Sequence, residues 1–271
     1  MINKKLDKLK NIIKEKQKIA VAFSAGVDST FLLKVCRDEL GDNVVAITVN
    51  APMQPRNEIE DARKLVKSLE VKHIEINLGY SRFQEIMDNP PNRCYLCKKQ
   101  IFTTIIEKAE SIGIEYIADG SNMDDLGDYR PGMKALKELE VISPLLDAEL
   151  TKDDIRNLSR GMGLPTWDKP ALSCLATRIP YGNKITMEKL ETIEKAENYL
   201  KLLGFKQFRV RHHGDIARIE ISMDEMCRFL DLEIFKKVTK GIKKMGFKHV
   251  TLDLEGYNRG SMNWVVEKEE Y

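Results

Sequence analysis

The stretch Ile19-Ala20-Val21-Ala22-Phe23-Ser24-Ala25-Gly26-Val27-Asp28-Ser29-Thr30-Phe31-Leu32-Leu33 decides how this chain is read. A short apolar run enters a turn of small residues, and an apolar stripe at helical spacing follows through Phe31, Leu32 and Val35. The order is strand, tight loop, helix start. Ser24, Gly26 and Ser29 leave room for an anion against backbone N–H groups, and the first helical turn adds its own. Asp28 does not suit a bare phosphate pocket, because a carboxylate repels phosphate unless a divalent cation lies between them. The stretch therefore points to a metal-bridged polyphosphate. It has neither the Lys-Ser/Thr ending of a Walker A loop nor the three-glycine dinucleotide fingerprint.

Outward from this turn, Leu6, Leu9, Ile12 and Ile13 place residues 4–15 in a leading amphipathic helix. Residues 43–49 are apolar apart from Asn43 and Thr48 and read as a buried strand; Ile59, Ala62, Leu65, Val66 and Leu69 stripe a helix, and 73–78 reads as a third strand. Asn89-Pro90-Pro91-Asn92 stops the next helix, and Cys94-Tyr95-Leu96-Cys97 comes at once as a turn. A helix through Ile101, Ile105 and Ile106 leads to a strand at 116–118. Such alternation predicts a parallel α/β sheet with right-handed crossovers. Asp119-Gly120-Ser121-Asn122 and Met123-Asp124-Asp125 then fall beyond a strand's carboxyl end, where ligands sit in such sheets. Thr151-Lys152-Asp153-Asp154 is a relative of the capping box that starts a helix to Arg160. Residues 164–185 read as an ordered loop. From Thr186 the order is helix to Leu203, strands 208–211 and 217–221, helix 224–240 and strand 249–254. The expected architecture is an α/β parallel-sheet domain over 1–185, followed by a smaller α+β domain over 186–271.

Composition excludes several classes. The 271 residues are 42% hydrophobic and 32% charged, as in an ordinary globular protein rather than a disordered one. Forty-four basic and 42 acidic side chains leave a net charge of +2, which does not suit a protein that coats nucleic acid. No stretch reads as a membrane span, and the start MINKKLDKLKNIIKEK is too charged for a signal-peptide core. The expected compartment is the cytoplasm, where five cysteines do not make a disulfide scaffold.

Cys94 and Cys97 have the two-residue spacing that lets two thiolates meet one metal. Redox dithiols, zinc sites and iron–sulfur sites all use it, and a buried non-ligand pair also fits. Cys174 lies in the polar, turn-rich loop. Cys36 and Cys227, each among apolar neighbours, are expected to be small buried hydrophobes. Three thiolates suit a four-iron cluster with one iron lacking a protein ligand, whereas zinc would want a fourth ligand or water. None of the four histidines is close in sequence to supply it.

Ser24-Ala25-Gly26-Val27-Asp28-Ser29 resembles the Ser-Gly-Gly-X-Asp-Ser motif of the PP-loop ATP pyrophosphatases, with Ala25 in place of the first glycine. That replacement is expected to require a negative φ at Ala25. Further blocks extend the resemblance over the whole length to the LarE family, ATP-dependent sulfur transferases that build the nickel-pincer nucleotide of lactate racemase. They are Asp119-Gly120, Asp128-Tyr129-Arg130-Pro131-Gly132, Ser173-Cys174, Arg178-Ile179-Pro180-Tyr181-Gly182, and Arg209-Val210-Arg211-His212 running into Ala217-Arg218-Ile219-Glu220. One kind of family member gives up the sulfur of a single cysteine at the position of Cys174. The other has cysteines at the positions of Cys94, Cys97 and Cys174 and is believed to hold a [4Fe-4S] cluster carrying a transferable sulfide. This sequence has the second pattern.

The resemblance implies ATP and Mg²⁺, with Ser24, Gly26, Ser29 and Gly120 on the nucleotide and Asp28 positioning the metal. Asp124 and Asp125 are second candidates for metal or ribose, and Arg130 for offsetting phosphate charge. Arg209 and Arg211, two apart on a strand, share a face with Val210 turned to the core, and two guanidinium groups make a fork for a phosphate monoester. Arg178 is a further charge near Cys174. The partners implied are a pyridinium mononucleotide substrate, sulfide or a sulfur-donor protein, and further copies of the chain in a hexamer. Rival readings are a tRNA 2-thiolation enzyme, which would want a basic tract or RNA-binding module, and an ammonia-using synthetase, which needs no cysteine triad. A nucleotide-sensing or cluster-binding structural protein is the non-enzyme alternative.

Overall fold

The computed structural model describes residues 2–126, 131–170, 173–258 and 261. Its elements begin with α1 (Ile2–Lys14), β1 (Ile19–Ala22), α2 (Val27–Leu40), β2 (Val44–Asn50), α3 (Arg56–Ser68) and β3 (Lys72–Asn77). Next come α4 (Gln84–Met87), α5 (Arg93–Glu110), β4 (Tyr116–Ala118), α6 (Pro131–Glu138), α7 (Pro144–Asp147) and α8 (Lys152–Gly161). The chain continues with α9 (Met187–Leu202), β5 (Phe208–His213), β6 (Ile216–Ile221), α10 (Leu232–Lys243) and β7 (His249–Leu252). Two compact units result: Met1–Phe83 with Asn92–Leu172, and Gln84–Pro91 with Ser173–Tyr271. Among the described residues no helix is long and apolar enough to cross a membrane.

The first unit is built on a parallel sheet of order β3-β2-β1-β4. Ile19, Ala20 and Val21 of β1 are fully buried, which is why this strand reads as an unbroken apolar run. Leu9 and Ile13 of α1 and Phe31, Leu32, Val35 and Cys36 of α2 pack into the same core. The apolar setting pushes the Cys36 thiol far above its ordinary pKa, so it behaves as the small hydrophobe expected. Strand order reverses at β1, so the loops leaving β1 and β4 flank one crevice at the carboxyl edge of the sheet. A bridge between Ala118 and Ile142 extends the β4 side.

In the second unit β5 and β6 pair antiparallel and β6 and β7 parallel, in the order β5-β6-β7. Val210, Ala217, Ile219 and Ile221 join Ala196 and Leu200 of α9 and Val238 and Ile242 of α10 in one core. A Cβ on Gly241 would fall 2.2 Å from the Tyr199 ring, so glycine here allows the close approach of α10 to α9. Segment 84–91 belongs to this unit through Asn89. Its Nδ2 donates to the carbonyls of Ile179 and Pro180 at 3.1 and 2.7 Å, and its carbonyl accepts the Gly182 N–H.

The α/β sheet followed by a smaller α+β sheet is the architecture read from the sequence. Four local readings differ. The Cys94–Cys97 segment is not a turn but the start of α5. The single helix expected over 224–240 is a 3-10 segment, Met223–Leu230, and then α10. Asp231, extended at φ −75° and ψ 112°, separates them, and its side chain caps α10 by accepting the Glu233 N–H. Cys227 is consequently exposed on the 3-10 segment rather than buried. Ala25 has φ +56°, not the negative value expected, so its buried methyl is held in the left-handed region.

Candidate active site

The turn after β1 leaves the N-terminus of α2 without a side-chain cap: Gly26 is the N-cap residue and accepts the Thr30 N–H through its carbonyl. The preceding first-turn N–H groups, of Val27, Asp28 and Ser29, have no acceptor inside the helix, which is the geometry of an anion site. The Ser24 and Ser29 hydroxyls lie 3.2 Å apart beside them. Gly120, leaving β4, closes the other wall. A Cβ there would sit 3.1 Å from the Ser29 nitrogen and 3.3 Å from the Asp28 Cβ, a tight fit that glycine avoids as the β4 loop comes this close.

Asp28 carries the site's main electrostatic strain. Lys152, the first residue of α8, donates to its Oδ2, while Oδ1 is buried and has no hydrogen-bond partner. Burial raises its pKa; Lys152 works against that, Asp125 adds to it, and Arg156 also lowers it. A buried carboxylate oxygen without a donor suits a hard divalent cation, so the residues present fit Mg²⁺. Asp124 accepts the Lys152 backbone N–H at 2.9 Å, and Asp125 accepts that of Asn122 at 3.0 Å in a capping box. Lys169 Nζ donates to the Ala25 carbonyl at 3.1 Å and to Asp61 at 3.0 Å, holding the strained residue from outside the turn.

Cys94 and Cys97 stand at i and i+3 in the first five residues of α5, hence on one helix face, and both are half-buried. The helix begins at the carboxyl edge of the sheet. Lys98, next to Cys97, lies 3.6 Å from Asp119, which Ser121 and Ser143 also hold at 2.5 and 2.7 Å. The Cys-x-x-Cys helix, through Lys98, and the β1 turn, through Ser29 and Asp28, thus both approach Asp119-Gly120. None of the five cysteines is in a disulfide. Within neither unit do three or more described His, Cys, Asp or Glu side chains gather as a metal site. Cys94 and Cys97 belong to the first unit and Cys174 to the second. As a donor set, three thiols fit an iron–sulfur cluster.

Cys174 is half-buried and precedes a short 3-10 segment, Leu175–Arg178. Arg178 fixes this turn. It donates through Nη1 to the carbonyls of Ser173 and Cys174 at 2.8 and 3.0 Å, and pairs Glu197 through Nε and Nη2 at 2.9 and 2.8 Å. Arg209 and Arg211 do share a face of β5, opposite Glu220 and Arg218 of β6, with Val210 in the core. Arg211 grips Glu220 bidentately at 2.9 and 2.6 Å and donates to the Thr177 carbonyl at 3.0 Å. Arg209 stacks over Tyr257 at 5.0 Å, and burial, then the Arg178 charge, lowers its pKa.

Sequence reading missed Lys152 as part of the site, seeing only a helix start, and missed Glu197 and Glu220 as partners of the arginines. The Arg-x-Arg and Arg-x-Glu alternation of a hairpin was the available signal for Glu220. Arg130 lies outside the described residues.

A parallel sheet with an uncapped, carboxylate-bearing turn at its reversal point is the arrangement of the PP-loop ATP pyrophosphatase superfamily. Comparisons agree: residues 1–98 match the family described as NAD synthase, and the chain is 28% identical over 210 residues to a glutamine-hydrolyzing GMP synthase component of Thermoplasma acidophilum. That match covers 70% of this chain and 66% of the archaeal protein. It is 36% identical over 260 residues to the pyridinium-3,5-bisthiocarboxylic acid mononucleotide synthase of Lactiplantibacillus plantarum, covering 95% of this chain and 93% of that protein. An uncharacterized protein of Synechocystis is 40% identical over 99% of this chain and 100% of its own length. The chain belongs to the family of the Lactiplantibacillus synthase, the LarE family.

Proposed function

We propose that the chain is an ATP-dependent sulfur transferase acting on a pyridinium dicarboxylate mononucleotide. It adenylylates a substrate carboxylate with loss of pyrophosphate, then exchanges AMP for sulfide to leave a thiocarboxylate destined for the nickel-pincer nucleotide of lactate racemase. The observation that carries this reading is the meeting of two features at one sheet edge. Around Asp119-Gly120 lie a turn with an orphaned Asp28 oxygen and a Cys-x-x-Cys helix start.

A carboxylate is a poor electrophile, and adenylylation supplies the leaving group it lacks. Ser24, Gly26 and Ser29 hold the pyrophosphate through hydroxyl and backbone N–H groups, with Gly120 admitting it close to the α2 terminus. Asp28 orients the metal, and Asp124 and Asp125 stand behind it for metal or ribose. Mg²⁺ bound there supplies neutralisation of the departing charge. Arg130 is assigned to the same charge. Cys94, Cys97 and Cys174 would hold a [4Fe-4S] cluster, which when bound would supply a transferable sulfide. Arg209 and Arg211, with Arg178, receive the substrate phosphate. Arg211 does so while holding Glu220, which fixes the plane of its guanidinium group, and Arg178, held by Glu197 and the Ser173 and Cys174 carbonyls, contributes its charge from behind. The same reading carries a sulfide or desulfurase donor, a cytoplasmic setting and a hexamer.

The test is anaerobic reconstitution with iron and sulfide. With ATP and substrate, the chain should make more than one thiocarboxylate per copy while the peptide mass at Cys174 stays unchanged. Serine at Cys94, Cys97 or Cys174 should lower iron content and abolish transfer; Cys36→Ser and Cys227→Ser should leave iron alone. Turnover stopping at one, with loss of H₂S from Cys174, would replace the cluster by sacrifice of that cysteine. The likeness to GMP synthases favours a second reading, in which ammonia attacks the adenylate. Full activity with ammonia in the triple serine variant would establish it.

A further inference from the structure

The β1 turn is strained at Ala25. Its φ of +56° lies in the left-handed region, where an alanine Cβ crowds the following carbonyl, and its methyl is fully buried. Such a conformation persists only where its surroundings over-determine it. Lys169 is placed to do so. Its Nζ donates to the Ala25 carbonyl at 3.1 Å and to Asp61 of α3 at 3.0 Å, and its side chain keeps only 20% exposure. The backbone end of the lysine is fixed as well. Arg156 of α8 donates to the carbonyls of Trp167 and Lys169 at 2.7 and 2.8 Å, and the Lys169 N–H donates to the Thr166 carbonyl at 3.0 Å. The hydrogen-bond ladder of α2 begins at the Gly26 carbonyl, so the Ala25 carbonyl receives its donor from Lys169 rather than from the helix.

We propose that Lys169 is a positioning residue of the β1 turn: by capturing the Ala25 carbonyl it locks an alanine in a left-handed conformation and so aims the Gly26 N–H at the bound anion. This rests on the ATP reading above. In a trans peptide the carbonyl and the N–H point opposite ways, so a carbonyl turned out to Lys169 leaves the Gly26 N–H turned in. The same geometry keeps the ammonium off the anion, since the two lie on opposite sides of one peptide. Relaxation of Ala25 to negative φ would rotate that peptide and take its N–H out of line. One charge-assisted hydrogen bond is of the size of the left-handed penalty, so a single lysine suffices to hold the turn. Glycine at this position would need no lock.

The experiment is calorimetric binding of Mg²⁺·α,β-methylene-ATP to the full chain in a double-mutant cycle of Lys169→Met and Ala25→Gly, with Lys169→Arg beside it and circular dichroism as the check of fold. In the Ala25 chain Lys169→Met should weaken binding about 5- to 30-fold, the left-handed penalty of one alanine expressed as an affinity, and Lys169→Arg should recover most of it. In the Ala25→Gly chain the same Lys169→Met change should cost less than about 2-fold, because glycine holds the conformation unaided. An equal loss in both chains would overturn the inference and make Lys169 a direct contact of the ligand. No loss in either would overturn it as well. A wild-type chain that binds no analogue would overturn the ATP reading instead. Urea unfolding then judges the lock without nucleotide: Lys169→Met should lower the midpoint in the Ala25 chain more than in the Ala25→Gly chain, and equal shifts would overturn the lock by themselves.

Discussion

In the turn after β1, Asp28 keeps one buried oxygen without a hydrogen-bond partner, whereas on the polar face of β5 and β6 the buried Glu220 takes hydrogen bonds from Arg211, Arg218 and Ser261. Glu220 is wholly withdrawn from water and Asp28 partly so. One is served by a single lysine, the other by two guanidinium groups and a hydroxyl. A buried charge whose partners come from its own chain acts as scaffold; one left partly unmet waits for an ion from outside. The contrast separates the β1 turn from the arginine layer more sharply than residue type does, since both are rich in charge.

The comparison breaks most visibly at Glu220. Glu220→Ala leaves Arg211 and Arg218 without their shared counter-charge, and should lower stability by about 3–5 kcal/mol in urea unfolding. A change below about 1 kcal/mol, the range of a surface pair, would mean the layer is not scaffold. Asp28 should respond in the opposite way. Asp28→Ala should fold, yet slow ATP-dependent pyrophosphate release on the order of 10²–10³-fold. Near-wild-type turnover would remove Asp28 from the mechanism.

Asp28 also sharpens the contrast through pH. Its folded pKa is raised, chiefly by burial, so the folded chain binds this proton more tightly than the unfolded one and stability falls as pH rises through the raised value. Asp28→Asn should therefore match or exceed the wild type near neutrality, with the difference closing as pH falls toward the ordinary carboxylate range. A loss of stability in Asp28→Asn at neutral pH would show that attraction to Lys152 outweighs burial. The smallest effect belongs to Ala25. Relieving its φ of +56° with glycine should add about 0.5–1 kcal/mol, the left-handed penalty less the extra freedom of glycine in the unfolded chain. Unchanged or lower stability would mean that the buried methyl contributes as much as the strain removes.

Where a residue's role follows from neighbours along the chain, the sequence carried it. The apolar run of β1, the small-residue turn and the stripe of α2 specify a strand, an open loop and a helix by local spacing, and the regular return of strand and helix specifies a parallel sheet. Arg209 and Arg211 fall on one face, and Val210 in the core, because side chains on a strand alternate. The exposed Cys227 marks the limit: its apolar neighbours suggested burial, but it lies on a 3-10 segment that Asp231 separates from α10.

By itself the sequence determined the layer order, the small-residue turn at the α2 start and the three thiols, all written in spacings of a few residues. Only the tertiary structure decided how the charges pair. Lys152 lies 124 residues from Asp28, and Glu197 lies 19 from Arg178. Gly120 meets the Ser29 nitrogen only because β4 lies beside β1. The sign of φ at Ala25 was equally out of reach, because Lys169 and the packing around a buried methyl hold a conformation that alanine alone disfavours. Local spacing sets which face a side chain occupies, but whether its charge is met depends on distant elements, and so on the packing of the whole unit.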